Sequence, residues 1–255
     1  MPEQPLALDQ INAEIVRELL RDLVIECTSS TQVVIKQDSR AGSDDGQAIL
    51  HAASDLTLDI TASGKNGLDT GAEAADTWYY IWMIYNPGTQ ETAGLLSASA
   101  TSPTLPSGFT KKRLVGAVRN NGSSDFILFV QRGVDVAIEQ GATYLYNAQP
   151  ANTNQIALDA TSAFPSVIAA SRLIVYGEER SGGWATGNEA IIFGCKSSYY
   201  HSDLNMLRDT PDKRASGQGE FFIPDDGNRH VYFRQTDTNA QMWVLIEFAG
   251  YTLNL

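Results

Sequence analysis

Eight consecutive residues, from Trp78 to Tyr85, constrain the fold of this chain more than any other segment. They carry no charge and are rich in aromatic side chains. In a β-strand successive side chains point to opposite faces, so one face takes Trp78, Tyr80, Trp82 and Ile84, and the other takes Tyr79, Ile81, Met83 and Tyr85. A strand that is apolar on both faces lies inside a packed β-structure. Turn-forming residues, Asn86-Pro87-Gly88, follow it.

The rest of the chain reads as many short strands separated by turns, which predicts an all-β fold with a β-sandwich or jelly-roll body. In the first half we predict strands over 32–37 and 56–60, and a hairpin of 115–119 with 126–131 through the Asn120-Asn121-Gly122 turn. Residues 89–110 are expected to form an ordered excursion with little strand. In the second half we predict strands over 143–147, 155–159, 172–177, 189–195, 219–223, 230–235 and 242–249.

An amphipathic α-helix is predicted over residues 9–25, with Asp9 as its N-cap. Its apolar rows form a wide stripe, which indicates packing either on the β-body or against copies of itself. The predicted organisation is therefore an N-terminal arm and helix over 1–40, for anchoring or oligomerisation, and a β-body over 41–255. A boundary between two subdomains near 132–142 is the further expectation.

Composition excludes several classes of function. The chain has 255 residues, 43% of them hydrophobic and 19% charged, which is typical of a folded globular protein. Its net charge of −12 argues against nucleic acid as the main ligand, and Lys111-Lys112-Arg113 is interpreted as a solvated turn rather than a phosphate contact. We see neither a secretion signal nor an apolar run of about 20 residues. The expectation is synthesis and folding in the cytosol, without an export signal or membrane insertion.

Motifs that carry chemistry are weak, so no catalytic, cofactor-binding or metal-binding residue is predicted. The three histidines, His51, His201 and His230, lack metal-ligand spacing and are expected at the surface or hydrogen-bonded. The sequence GLDTG at 67–71 contains the Asp-Thr-Gly of aspartic proteases, but without the apolar strand that precedes it there. Acidic pairs are interpreted as solvated turn residues rather than calcium ligands: Asp44-Asp45, Glu178-Glu179 and Asp225-Asp226. The two cysteines, Cys27 and Cys195, are predicted to be buried thiols.

Aromatic residues outside the core strand offer one candidate binding surface. Trp184 lies in a glycine-rich stretch, and Tyr199-Tyr200-His201 in a polar one. Rings flanked by Ser, Asn and Asp stack on sugars. The alternative is that these rings cover the ends of the β-body or a subunit contact, and we favour that alternative.

Residues 67–118 resemble a segment of bacteriophage and prophage structural proteins of the tail-fibre type. The shared order is a GLDTG turn, a TWYYIW strand, a YNP turn, then GLLS, TLPSG and VGAV. The resemblance is close over about a fifth of the chain. It implies a multimeric virion β-protein and implies no active site.

The expected function is therefore that of a non-enzymatic structural component of a phage virion, as a tail-fibre, neck or capsid-attached protein. Its partners would be copies of itself, with trimers expected by analogy with phage fibres, and other virion proteins. Two alternatives stay open. One is a carbohydrate-binding module for host recognition, with a host surface glycan as ligand. The other is a glycan-degrading enzyme, which would need paired carboxylates in one cleft.

Overall fold

The described part of the chain is built from β-strands alone, which confirms the predicted all-β class. The computed structural model describes residues 19–139, 144–148, 156–161, 163, 165, 172–181, 189–196, 199–206, 215–221, 230–235, 242–253 and 255. Contacts divide it after Val134 into two units, with Leu255 belonging to the first. The division falls within the range 132–142 that the sequence marks as a boundary.

Unit 1 contains ten described strands in three sheets. The strands are β1 (Leu20–Arg21), β2 (Val24–Cys27), β3 (Gln32–Ile35), β4 (Arg40–Gly42), β5 (Ile49–His51), β6 (Leu56–Asp59), β7 (Trp78–Asn86), β8 (Glu91–Ser97), β9 (Lys111–Arg119) and β10 (Phe129–Arg132). Within this unit the sheet orders are β10-β2-β3-β6, β8-β7-β9 and the small sheet β1-β4-β5. Each strand is antiparallel to its neighbours in these sheets.

The predicted N-terminal helix is wrong over its last residues. Residues 9–18 lie outside the described part of the chain, but β1 and β2 occupy 20–27. Asp22 between them has a left-handed φ of 53°, which no α-helix accommodates. Ile25 on β2 pairs with Ile35 on β3 and is fully buried. The burial of this β-branched side chain in a sheet outweighs the helical spacing of the apolar residues. Residues 20–40 therefore belong to unit 1 instead of forming a separate arm.

The aromatic segment forms the central strand β7, buried on both faces as predicted. Residues Tyr79 to Ile84 are each at most 3% exposed. On one face Tyr79 packs edge-on against Phe126, with ring centroids 6.4 Å apart. On the other face Trp82 donates from Nε1 to the backbone oxygen of Ser99 at 3.2 Å. The segment that follows β8 thus covers the second face of the strand.

Two glycines let the sheet β8-β7-β9 approach the sheet β10-β2-β3-β6. A side chain at Gly94 on β8 would collide with Leu58 of β6. A side chain at Gly116 on β9 would lie 2.6 Å from Oε1 of Gln131 and 3.1 Å from Cδ1 of Ile25. The backbone at each glycine therefore lies in close contact with side chains of the other sheet.

Two predictions for the middle of unit 1 are corrected by the structure, the second of them only in part. Residues 89–110 contain the seven-residue strand β8. Because many of its residues are Thr, Ala, Gly or Ser, the sequence gives little indication that this strand is buried. The predicted hairpin of 115–119 with 126–131 forms only at its tip, where Asn120 bridges Phe126 and the backbone N–H of Ile127 donates to the backbone oxygen of Arg119 at 2.9 Å. Beyond the tip, β9 pairs with β7 while β10 pairs with β2. The turn itself exists, since Oδ1 of Asn121 accepts hydrogen bonds from the backbone of Ser123 and Asp125.

Unit 2 contains the remaining described strands, in two antiparallel sheets. They are β11 (Asp135–Ile138), β12 (Tyr144–Ala148), β13 (Ile156–Asp159), β14 (Arg172–Ser181), β15 (Glu189–Lys196), β16 (Tyr199–Met206), β17 (Ala215–Phe221), β18 (His230–Gln235) and β19 (Met242–Thr252). One sheet has the order β17-β14-β19-β11 with β12 also on β19, and the other has β13-β18-β15-β16. Every strand predicted in this half overlaps an observed one, whereas β11 and β16 were not predicted.

Candidate binding pocket

An open pocket of about 450 Å³ lies in unit 1, where the small sheet meets the hairpin of β7 and β8. Its walls include Ile49 and His51 from β5, Tyr85 from β7, and Gln90, Glu91 and Thr92 from the turn and the start of β8. Ser54 and Leu56 complete the side next to β6. The volume is within the usual range for small-molecule sites.

The turn between β7 and β8 shapes one wall of the pocket. Oδ1 of Asn86 accepts hydrogen bonds from the backbone N–H groups of Gly88 at 2.9 Å and Thr89 at 3.3 Å, as asparagine does in turns. The chain then passes through Gln90 in the left-handed region, with φ of 57°. Thr92 ties this turn to β5, because its Oγ1 accepts from the backbone N–H of His51 at 3.4 Å.

His51 is half-buried at the edge of the pocket and is hydrogen-bonded, as predicted. Its Nε2 lies 3.3 Å from Oδ1 of Asp38. Asp38 sits in the turn between β3 and β4 with φ of 68°, and its backbone N–H donates to Ala52 at 2.8 Å. The turn therefore fixes the carboxylate that orients the imidazole. His201 and His230 lie in β16 and β18, and the described part of the chain does not include their side chains.

Glu91 is the one carboxylate among the residues that line this pocket. Its Oε1 accepts a hydrogen bond from Nζ of Lys65 at 2.7 Å. Both side chains are close to half exposed, so solvent screens the pair. A glycosidase needs two carboxyl groups about 5–9.5 Å apart, and this pocket supplies only one from its own lining.

The GLDTG sequence serves the fold in this protein. Asp69 accepts hydrogen bonds at its Oδ2 from the hydroxyl of Ser97 and the backbone N–H of Thr104, both at 2.8 Å. Its backbone N–H donates to Leu96 of β8 at 2.8 Å. A side chain at Gly67 would lie 2.5 Å from the backbone oxygen of Ala62, so the turn requires glycine there. This carboxylate joins the excursion after β8 to the sheet.

The basic cluster lies on β9 rather than in the predicted turn, and each of its cations has a partner. Lys111 pairs with Asp45, and Arg113 reaches Asp44 at 4.0 Å. Lys112 donates to the backbone oxygen of Thr101 at 2.7 Å and lies 4.9 Å from the centroid of the Trp82 ring. A cluster in which two cations are paired with carboxylates and the third is hydrogen-bonded to the backbone is a poor phosphate site.

The partners of these cations, Asp44 and Asp45, have shifted pKa values. Burial raises the pKa of Asp44, against the opposing pull of Arg113 and Lys112. Burial also acts on Asp45, but hydrogen bonds from Lys111, Ser43 and Gln47 outweigh it and lower its pKa. Asp44-Asp45 therefore forms ion pairs instead of a cation site. Glu178-Glu179 lies within β14, a strand rather than the predicted turn, and Asp225-Asp226 lies outside the described residues. No group of metal-ligating side chains occurs in the part of the chain that the structure describes.

Cys27 is a buried free thiol, as predicted. Its Sγ donates to the backbone oxygen of Ser29 at 3.3 Å. Burial raises its pKa to about 12, so the group is neutral at physiological pH. Cys195, the other cysteine predicted to be a buried thiol, lies in β15, and its side chain is not among those described.

The predicted sugar-stacking aromatics are not brought together by any described contact. Trp184 lies outside the described residues. Tyr199 and Tyr200 begin strand β16, whose side chains lie outside the description as well. The pocket residues that the sequence analysis missed include Ile49, Gln90, Glu91 and Thr92. The Asn86-Pro87-Gly88 sequence indicated the turn, but only the contact of Thr92 on β8 with His51 on β5 shows that these residues share a pocket.

Comparison with known proteins adds no family assignment: no protein-family model matches the chain, and a search of curated proteins finds no match. None of the described residues belongs to a helix long and apolar enough to cross a membrane.

Proposed function

We propose that the chain is a non-enzymatic structural protein of a bacteriophage virion, of the tail-fibre-like type, which acts through assembly and surface contact. The resemblance of residues 67–118 to phage structural proteins suggests this function. The role of those residues in the fold supports it. The segment supplies β7, β8 and β9, which form one complete sheet of unit 1.

The observation that carries the proposal is that the carboxylate of Asp69 is hydrogen-bonded within the fold. In an acid–base enzyme this carboxylate would face a substrate. Here its Oδ2 accepts from Ser97 and Thr104, and Oδ1 accepts from the backbone N–H of Thr70 at 2.7 Å. A carboxylate whose oxygens accept hydrogen bonds from neighbouring loops is typical of a structural protein.

A β-sandwich body is the finer part of the proposal. The two glycine contacts, Gly94 with Leu58 and Gly116 with Ile25, favour a face-to-face packing of sheets in unit 1. We propose that copies of this body associate, with three-fold symmetry by analogy with fibres. Residues 9–18, the part of the predicted helix that does not overlap strands, are the proposed anchoring segment.

The location of the protein in a particle tests the function. Particles released by the organism that encodes the chain would be purified on a density gradient and analysed by quantitative mass spectrometry. We expect the chain at a fixed copy number relative to the other virion proteins, with an abundant cytoplasmic enzyme as the control for contamination. Particles that contain the other virion proteins but lack this chain would refute the proposal.

A second measurement tests the anchoring segment. Light scattering gives the mass of the full chain and of a variant that lacks residues 1–18. We expect a multimer for the full chain and a folded smaller species for the deletion variant. Equal masses would remove the assembly role of this segment, while the particle experiment would still test the function.

A further inference from the structure

We propose that the pocket between β5 and the β7–β8 turn is a binding site for a neutral sugar ring. This site is separate from the aromatic residues to which the sequence pointed, Trp184 and Tyr199-Tyr200. The proposal goes beyond a scaffold role, and it rests on the surfaces that this one pocket brings together.

The first surface is apolar and exposed. Ile49 leaves 52% of its surface in contact with solvent, and the described chain has only two other large apolar side chains that are comparably exposed, Leu128 and Val130. Unlike those two, Ile49 faces a concave site that it shares with Tyr85 and Leu56. The C–H face of a sugar ring packs on such aliphatic and aromatic surfaces, as amphipathic rings do at interfaces.

The second surface is polar and lies on the turn and the first residues of β8. Oγ1 of Thr92 accepts a hydrogen bond from the backbone N–H of His51, so the hydroxyl proton of Thr92 is available to a ligand. The Gln90 amide offers two donors and an acceptor, and no described residue hydrogen-bonds to it. Glu91 gives one oxygen to Lys65, and no described residue donates to its other oxygen. Paired hydroxyls on a sugar need this mixture of donors and acceptors.

The backbone at the polar surface is held in a costly conformation. Gln90 has φ of 57°, although its long side chain gains nothing from the left-handed region and glycine would adopt it freely. Such conformations cluster at binding sites. The Asn86 hydrogen bonds to Gly88 and Thr89 hold the turn that imposes it. The site is thereby preorganised, which lowers the entropic cost of binding.

The charges around the pocket disfavour an anionic ligand. Glu91 lines the pocket, Asp38 lies behind His51, and the chain carries a net charge of −12. Lys65 is paired with Glu91, and His51 faces Asp38, so each cationic or ionisable base at the pocket already has an acidic neighbour. A uronic or sialic acid would meet net repulsion, whereas a neutral hexose or N-acetylhexosamine would not.

Saturation-transfer NMR on the full chain tests the proposal, with glucose, galactose, mannose and N-acetylglucosamine as neutral probes at about 10 mM, suited to the weak affinity of single sugars. Glucuronate is the anionic probe. We expect transfer to at least one neutral sugar, and stronger transfer to the same sugar within a disaccharide if the natural ligand is a glycan. Absence of transfer to all neutral probes, or a preference for glucuronate, would overturn the proposal.

Two variants place the binding at this pocket. Ile49→Ser removes the exposed apolar surface, and Gln90→Gly removes the amide while it relieves the backbone. Each should weaken binding by about tenfold. Val130→Ser is the matched control, because Val130 is 41% exposed on β10 and does not line the pocket. Far-UV circular dichroism and melting curves verify that all three variants are folded. Equal binding by Ile49→Ser and wild type, or equal loss in Val130→Ser, would refute this location.

Discussion

The side-chain amide of Gln131 on β10 donates a hydrogen bond of 2.7 Å to the backbone oxygen of Val115, on a strand of the opposite sheet. Val115 is the residue that a β-bulge leaves out of register with β7, since Gly116 faces Ile81 and Leu114 faces Trp82. A second hydrogen bond from the same amide reaches Gly133 at 2.8 Å. Gln131 is fully buried. Gln131 therefore supplies a hydrogen-bond donor to the Val115 carbonyl, which the β-bulge removes from the hydrogen bonds between β9 and β7.

We predict that Gln131→Met destabilises the protein by about 1–3 kcal/mol, because it keeps the volume but leaves two backbone oxygens without their donor. Urea unfolding followed by tryptophan fluorescence measures the change. Arg132→Met is the matched control, since Arg132 is the exposed neighbour on the same strand. Equal stability of the two variants would show that the bulge does not depend on the amide.

The carboxylate of Asp69 gives the second prediction. Asp69→Asn should lower the free energy of unfolding by about 1–2 kcal/mol, because an amide has one oxygen for the donors that two carboxylate oxygens now accept. Hydrogen exchange should become faster in residues 97–104, which Asp69 connects to β8. Asp125→Asn is the control, because Asp125 is exposed in a loop and no described residue donates to its carboxylate. Unchanged exchange in 97–104 would contradict the structural role of the motif.

Much of the fold was predictable from the sequence because apolar alternation reports burial. Strand β7 was identified by its two apolar faces, and β18 by the residues 230–235. The wrong predictions share one cause, which is pairing between strands that are distant in the sequence. Ile25 lies in a helical pattern, yet the partner strands β3 and β10 determine its conformation. Pairing between distant residues overrides local propensity in this way.

The candidate site was less predictable than the fold, for a related reason. No single residue of the pocket is unusual in the sequence. Ile49 and Thr92 are 43 positions apart and line one pocket only because the fold places the end of β5 beside the start of β8, where His51 donates to Thr92. Residues that the sequence did single out, such as Asp69 and Lys112, proved to be held by structural hydrogen bonds. Motif searches find chemistry that is local in sequence, and this pocket is not local.

The burial of Cys27 gives the third prediction. With its pKa raised to about 12, the thiol is neutral and enclosed in the folded protein, and thiolate is the reactive form. Iodoacetamide at about pH 8 should label Cys27 far more slowly in the native protein than in concentrated urea. Peptide mass spectrometry separates Cys27 from Cys195. Labelling of Cys27 at the same rate in both conditions would contradict its burial.

The last prediction concerns acid stability. The carboxylate of Asp59 accepts hydrogen bonds from Nε2 of Gln32 at 2.8 Å and from Oγ1 of Thr61 at 2.6 Å. The bond from Gln32, followed by that from Thr61, lowers the pKa of Asp59 below its ordinary value of 3.8. A depressed carboxyl pKa stabilises the folded state above the unfolded pKa, and this contribution is lost as pH falls through the folded pKa.

Asp59→Asn should therefore be less stable than wild type at neutral pH. The difference should stay constant down to about pH 5 and shrink below about pH 4, where wild type loses the same contribution by protonation. Urea unfolding across this pH range measures it. Asp125→Asn again serves as the control, because no described residue donates to its carboxylate. A gap between Asp59→Asn and wild type that stays constant to about pH 2 would mean that ionisation of Asp59 does not stabilise the fold.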